Sequence, residues 1–138
     1  MQIDSTDSQL LELYSHDETG GLEPVLPFGV AQPTTLAEVQ AVVLEARRLS
    51  KVLTPRGAGT GKAGGCVPSE NSIVVDFSKM NQILEISREN LTARLQPGVI
   101  LADFKAAVEA QGLFYPPDPN SMIGCTVGGN VATNAAGP

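Results

Sequence analysis

The sequence predicts a single α+β domain. Three observations lead there: apolar residues recur at helical spacing in three stretches, four short stretches are β-type, and the order runs helix, loop, helix, strand, loop, strand hairpin, helix, second loop. The 138 residues can bury about two-thirds of their unfolded surface, enough for one real core. A hydrophobic content of 42% is ordinary and does not point to disorder.

Residues 8–14, SQLLELY, place Leu10, Leu11 and Tyr14 on one helical face and predict a short helix. Residues 15–27 carry Gly20, Gly21, Pro24 and Pro27 and read as a loop. A longer helix follows, with Thr35 and Glu38 in a capping-box pattern and Leu36, Val39, Val42, Val43, Ala46 and Leu49 in register. Arg47 and Arg48 fall in its last turn, where cations suit the helix dipole. KVLTP (51–55) is a short strand that delivers a glycine-rich loop, and SIVVDF (72–77) is an apolar, β-branched strand. ILEIS (83–87), a turn at Arg88, Glu89 and Asn90, and LTARLQ (91–96) form a hairpin. Leu91, Ala93 and Leu95 alternate with polar residues, which predicts a half-buried antiparallel strand. Residues 99–111 predict a helix with Leu101, Phe104, Ala107 and Val108 inward and Gly112 beyond its end. The remaining residues, from Leu113 onward, are rich in Gly, Pro and Asn and read as a long functional loop.

Composition narrows the partners. The net charge is −6, and no basic cluster exists beyond Arg47, Arg48 and Lys51, so nucleic acid is a poor partner. The N-terminus is acidic and lacks an apolar signal region, and no apolar run approaches membrane length. Cys66 and Cys125 are far apart, with no C-x-x-C and no second histidine, and read as reduced thiols of a cytoplasmic protein. The lone His16 reads as a solvated loop residue.

The candidate site rests on two loops. In TPRGAGTGKAGG (54–65) the glycine density asks for a reason, since each glycine loses extra entropy on folding. A Walker loop would need glycine at Arg56 and a hydroxyl at Ala63, and has neither. Gly59, Gly61 and Gly64 match G-x-G-x-x-G literally. That motif must open a helix, however, and Gly65 and Pro68 make one improbable. The second loop holds Thr126, Gly128, Gly129, Asn130 and Asn134. If it coils, the i, i+4 spacing puts both asparagine amides on one side; otherwise they cap turns.

The run Pro55 to Gly61, followed by Gly64, Gly65 and Pro68, resembles the pyrophosphate loop of the FAD-linked oxidases, the vanillyl-alcohol oxidase superfamily with its PCMH-type flavin domain. Tyr115 to Pro119, with Thr126 to Asn130, Asn134 and Ala135, resembles that family's second flavin-contacting segment. The branch of glycolate oxidase D-subunits and D-lactate dehydrogenases is the most similar in these motifs. The resemblance runs from about Leu10 to the last residue. It implies the N-terminal part of a PCMH-type domain, an incomplete small mixed sheet flanked by helices, with residues 1–27 as an N-terminal helix and loop and 28–138 as the FAD-binding portion.

By that resemblance the first loop is an anion nest of backbone N–H groups at Gly57, Ala58, Gly59, Gly61, Gly64 and Gly65, with Thr60 adding a hydroxyl. Arg56 pairs with phosphate or with a neighbouring carboxylate. Lys62 supplies charge to the diphosphate or is solvated. Pro117, Asp118, Ser121, Thr126, Gly128, Gly129, Asn130 and Asn134 fix the isoalloxazine and ribityl chain. No histidine stands in the first loop, so FAD is expected to be non-covalent. The implied whole protein oxidises a 2-hydroxy acid such as glycolate or D-lactate. Its catalytic base and substrate-gripping groups belong to regions not among these residues, so the isolated chain is expected to be inactive. It would require the missing C-terminal region or a partner chain, and an open sheet edge allows a homodimer. The competing expectation is a non-catalytic assembly subunit that keeps the flavin-domain fold.

Overall fold

A computed structural model of the chain describes residues 3–137. Met1, Gln2 and Pro138, which the expected domain span includes, lie outside the described residues. The elements are α1 (Ser8–Leu13), β1 (Gly29–Ala31), α2 (Leu36–Arg48), β2 (Val52–Arg56), β3 (Ser72–Asp76), β4 (Ile83–Ser87), β5 (Thr92–Leu95), α3 (Leu101–Glu109) and α4 (Val127–Thr133). The expected helices and strands are present, and β1 and α4 are additional. Among the described residues no helix is long and apolar enough to cross a membrane.

The strands divide into two sheets. One is three-stranded and parallel throughout, in the order β1-β3-β2; the other is the antiparallel pair β4-β5. Ile73 and Val75 of β3 pack with Val42 and Ala46 of α2, while Val74 and Val30 pack with Tyr14, Leu10 and Leu11 beside α1. Covering both faces of a parallel sheet explains why Ser72–Asp76 is buried at every position instead of alternating. The outer edge of β1 is met by Asp4, which exchanges two backbone hydrogen bonds with Val30. β2 lies at the other edge and carries Pro55, which has no N–H to present to a further strand.

Caps fix the helix starts. Asp7 accepts from the Gln9 and Leu10 amides at α1. Thr35 Oγ1 accepts from Glu38 N at 3.2 Å, while Glu38 Oε2 reaches Thr34 N and Oγ1 at 2.7 and 2.8 Å. The reciprocal half of the expected capping box is therefore one residue further out. Along α2 only Val42 and Ala46 are fully buried, and Leu36 and Val43 are exposed, because the helix meets the sheet along a narrow stripe.

The second core is built by Val99, Leu101, Phe104, Val108, Cys125 and Val127, with Ile83, Ile86, Leu95 and Tyr115 against it. Phe104 and Tyr115 meet edge to face with centroids 4.9 Å apart. The β5 expectation needs correction: Leu95 is partly buried, but Leu91 and Ala93 are exposed, since no described element covers that end of the hairpin. Leu91 also has φ 52°, which puts it in the turn and ends the alternation.

Ile73 is 0% exposed at the centre of the parallel sheet. Ile73→Ala is expected to lower stability by about 2–5 kcal/mol, read as a lower urea midpoint at unchanged slope. Leu44→Ala, at a position 66% exposed, is expected to fall within about 0.5 kcal/mol of the parent chain.

Candidate functional site

Adjacent parallel strands cannot be joined by a tight turn, so the chain leaving β2 must run back the length of the sheet before entering β3. That return, residues 57–71, contains no helix, and the glycine loop forms its first half. Its backbone donors are therefore not consumed by a helix ladder. No acceptor within the described chain takes the N–H of Ala58, Gly59, Thr60 or Gly61. Gly59 has φ 74°, a conformation that favours glycine, and the Arg56 guanidinium occupies the space a side chain there would need.

The second segment comes directly against this loop. A Cβ on Gly57 would collide with Thr126 Oγ1, and one on Gly124 would stand 3.9 Å from Thr60 Cγ2. Between the two segments lies a cleft of about 480 Å³ lined by Thr60, Lys62, Ser121, Ile123 and Gly124, with Glu18 and Asn120 at its walls. A smaller hollow of about 180 Å³ is bounded by Ala58, Gly98, Asp103 and Thr126 among others.

The second loop does coil. Thr126 is its N-cap, accepting from Gly129 N at 3.2 Å, and Asn134 ends it with φ 53°. Val127, Gly128 and Leu101 tie the segment to the chain around α3 through Val127 N to Val99 O, Gly128 N to Pro97 O and Leu101 N to Cys125 O. Gly128 lies so close to Pro97 that an added Cβ would be 2.7 Å from its carbonyl oxygen. Asn130 is buried at 9% exposure, and its Nδ2 has no hydrogen-bond partner. A buried, unpaired amide donor is unfavourable and calls for an explanation. Asn134 is exposed, and its left-handed backbone takes it off the helical path, so the expected pairing of the two amides on one side ends at Asn130.

The remaining expected residues sort plainly. Arg56 makes no ion pair with a carboxylate among the described residues: Nη1 donates to the His16 carbonyl at 2.6 Å, and the guanidinium lies 5.3 Å from the Tyr14 ring centroid. Gly64 gives its N–H to Thr19 Oγ1 at 2.6 Å, and Gly65 is open. Asp118 is ion-paired with Lys105 at 3.0 Å, and Lys105 also donates to the Pro117 carbonyl at 3.2 Å. The Ser121 carbonyl accepts from Gly124 and Cys125.

Two clusters were invisible to sequence reading. One is buried: Tyr14 Oη donates to Asp76 Oδ2 at 2.5 Å, Gln32 Nε2 reaches both at 2.9 Å, and Ser78 donates to both Asp76 oxygens. Burial and then the Asp76 hydrogen bond push the Tyr14 hydroxyl well above its usual range. The only signal was a carboxylate closing an apolar strand. The other cluster is Asp17, Glu18 and Thr19, a polar tripeptide with no periodicity. Burial opposes the charge on Asp17, but hydrogen bonds from Thr19 and Cys66 and the nearby Arg56 charge outweigh it and lower its pKa. The Cys66 thiol beside it is raised by burial.

The cleft thus sets the first loop, with its free backbone amides, against Ser121 and Gly124 of the second segment, and Asn130 with its unpartnered amide sits further along that segment, outside the cleft lining. Free backbone amides in a glycine loop suit a nucleotide diphosphate. The FAD binding domain family matches residues 27–138, and the chain belongs to it: this is a PCMH-type flavin domain whose cofactor is FAD. The glycolate oxidase subunit GlcD of Bacillus subtilis is 45% identical over 125 residues, covering 91% of this chain and 26% of the relative. A D-lactate dehydrogenase of Anaerostipes hadrus is 40% identical over 129 residues, covering 94% of this chain and 27% of its own. Among solved structures, an alkyldihydroxyacetonephosphate synthase superposes with TM-score 0.86 at 24% identity over 99% of this chain and 27% of its own, which shows the shared fold. The chain thus spans about a quarter of the length of these relatives.

The two close approaches can be tested separately. Gly57→Ala must displace Thr126 Oγ1 from its capping role and is expected to lower stability by about 1 kcal/mol. Gly128→Ala meets the backbone of Pro97, which cannot rotate away, and is expected to cost more, up to about 3 kcal/mol. Thermal melts of both variants give the order; a Gly128→Ala chain that melts with the parent contradicts the packing.

Proposed function

We propose that this chain is the N-terminal FAD-binding portion of a flavoprotein oxidoreductase that oxidises a 2-hydroxy acid. The observation that carries the reading is the pairing of unengaged donors: the amides of Ala58 to Gly61 in one loop and the buried Nδ2 of Asn130 in the other, on segments in contact through Gly57 and Thr126. The amides hold the diphosphate, with Thr60 adding its hydroxyl at the cleft. Thr126, Gly128 and Gly129 place the first turn of α4 so that Asn130 donates to the flavin portion. FAD supplies the hydride acceptor when bound.

Arg56 acts from beneath Gly59, supporting the loop backbone. Lys105 holds Asp118 and Pro117 at the far end of the second segment. The substrate class is supported by the relatives, which bear the names glycolate oxidase, D-lactate dehydrogenase and, in Stutzerimonas stutzeri, D-2-hydroxyglutarate dehydrogenase at 38% identity. Groups that handle the hydroxy acid belong to the rest of such a protein or to a partner chain. FAD is held without a covalent bond, and the protein is cytoplasmic, with Cys66 and Cys125 as separate thiols.

Asn130 gives the direct test. Asn130→Leu removes an unpaired buried donor, so the nucleotide-free chain is expected to melt no lower than the parent. The same change removes a ligand contact and is expected to weaken FAD binding about tenfold in a flavin-fluorescence titration. Equal FAD affinity in the two chains, or parent binding of ATP as tight as of FAD, contradicts the reading.

A further inference from the structure

The residues just ahead of the flavin-domain match lash the glycine loop from outside. His16 accepts from Arg56 Nη1 at 2.6 Å, and Glu18 N donates to the Gly61 carbonyl at 3.1 Å. Thr19 Oγ1 accepts from Gly64 N at 2.6 Å, and Asp17 Oδ2 accepts from Cys66 N at 3.3 Å. Four consecutive residues thus bind the loop at its start, middle and end. Asp17 Oδ1 also accepts from Thr19 N at 2.9 Å, which sets the Thr19 hydroxyl in place.

This strap is itself anchored. Immediately before it, Tyr14 is fixed to Asp76 at the end of β3. After it the chain folds back, and Val25 N donates to the Ser15 carbonyl at 2.9 Å. A run of hydrogen bonds therefore leads from the sheet, through residues 16–19, onto a loop that has no regular structure of its own. None of these strap groups uses the amides of Ala58 to Gly61, so the loop is held while its donors stay free.

We infer that residues 16–19 are a positioning strap that pre-organises the glycine loop for the FAD diphosphate, with Asp17 and Thr19 as its positioning residues. This rests on the flavin reading above. A loop rich in glycine samples many conformations, and holding it in one lowers the entropy lost when an anion is bound. The family match begins at residue 27, so the strap lies ahead of it in the chain, within the stretch that the relatives also match.

The test uses the full chain and three variants. Thr19→Val removes the acceptor for Gly64, Thr19→Ser restores it, and Asp17→Asn leaves only one acceptor oxygen for the two amides, of Thr19 and Cys66, that Asp17 serves. Backbone hydrogen exchange of residues 57–66 is measured without nucleotide, and FAD affinity by flavin fluorescence. Loss of one such hydrogen bond is expected to speed loop exchange and weaken FAD about five- to tenfold in Thr19→Val and Asp17→Asn. Thr19→Ser should match the parent, and exchange in β3 should stay unchanged in all. If FAD affinity is unaltered while the parent binds FAD, the strap is overturned and the flavin reading stands. If exchange in β3 rises as much as in the loop, the residues serve global stability and the strap is again overturned. A parent chain that takes up no FAD overturns the flavin reading and the strap's part in it together.

Discussion

The parallel pairing of β2 with β3 is the constraint from which the site follows. Two neighbouring parallel strands require a long return path, and a helix is the usual way to satisfy its backbone. Here a glycine loop takes that path, at the carboxyl end of β2, where ligands of parallel sheets commonly bind. A helix would have engaged its amides in its own ladder beyond the first turn. Without one, the amides of Ala58 to Gly61 remain free, and the loop must be held in shape by other parts of the chain.

Those other parts come from two directions. The second segment abuts Gly57 through Thr126, whose hydroxyl at the same time caps α4. One side chain thus sets both the spacing of the loops and the start of the helix that carries Asn130. Residues 16–19, drawn from the anchored Tyr14, also hold the loop, and Glu18 among them lines the cleft together with the second segment. The buried, unpaired Nδ2 of Asn130 lowers the stability of the nucleotide-free fold, and such local conflicts belong at functional sites.

Much of this was legible in the letters. The amphipathic repeats of α2 and α3 and the β-branched run of β3 carry their own periodicity, and both glycine-bearing loops were visible from density alone. β1 was not, because Gly29–Ala31 is too short to show a pattern and is made a strand by its pairing with β3. α4 was read as loop because Gly128 and Gly129 oppose helix formation; the Thr126 cap, the close approach to Pro97 and the burial of Val127 override that preference. The hydrogen bond from Arg56 to the His16 carbonyl was not legible either, because its partner is 40 positions away. The strap could not be read, since Asp17, Glu18 and Thr19 are ordinary loop residues until Gly61, Gly64 and Cys66 are brought beside them.

The central claim is that the two loops grip one flavin nucleotide together. A ¹⁵N-resolved NMR titration of the chain with FAD tests it most directly. The account predicts that the backbone amides of Ala58 to Gly61 and the side-chain amide of Asn130 shift with a single, shared saturation curve. Shifts confined to one loop, or two sets saturating at different FAD concentrations, would contradict it.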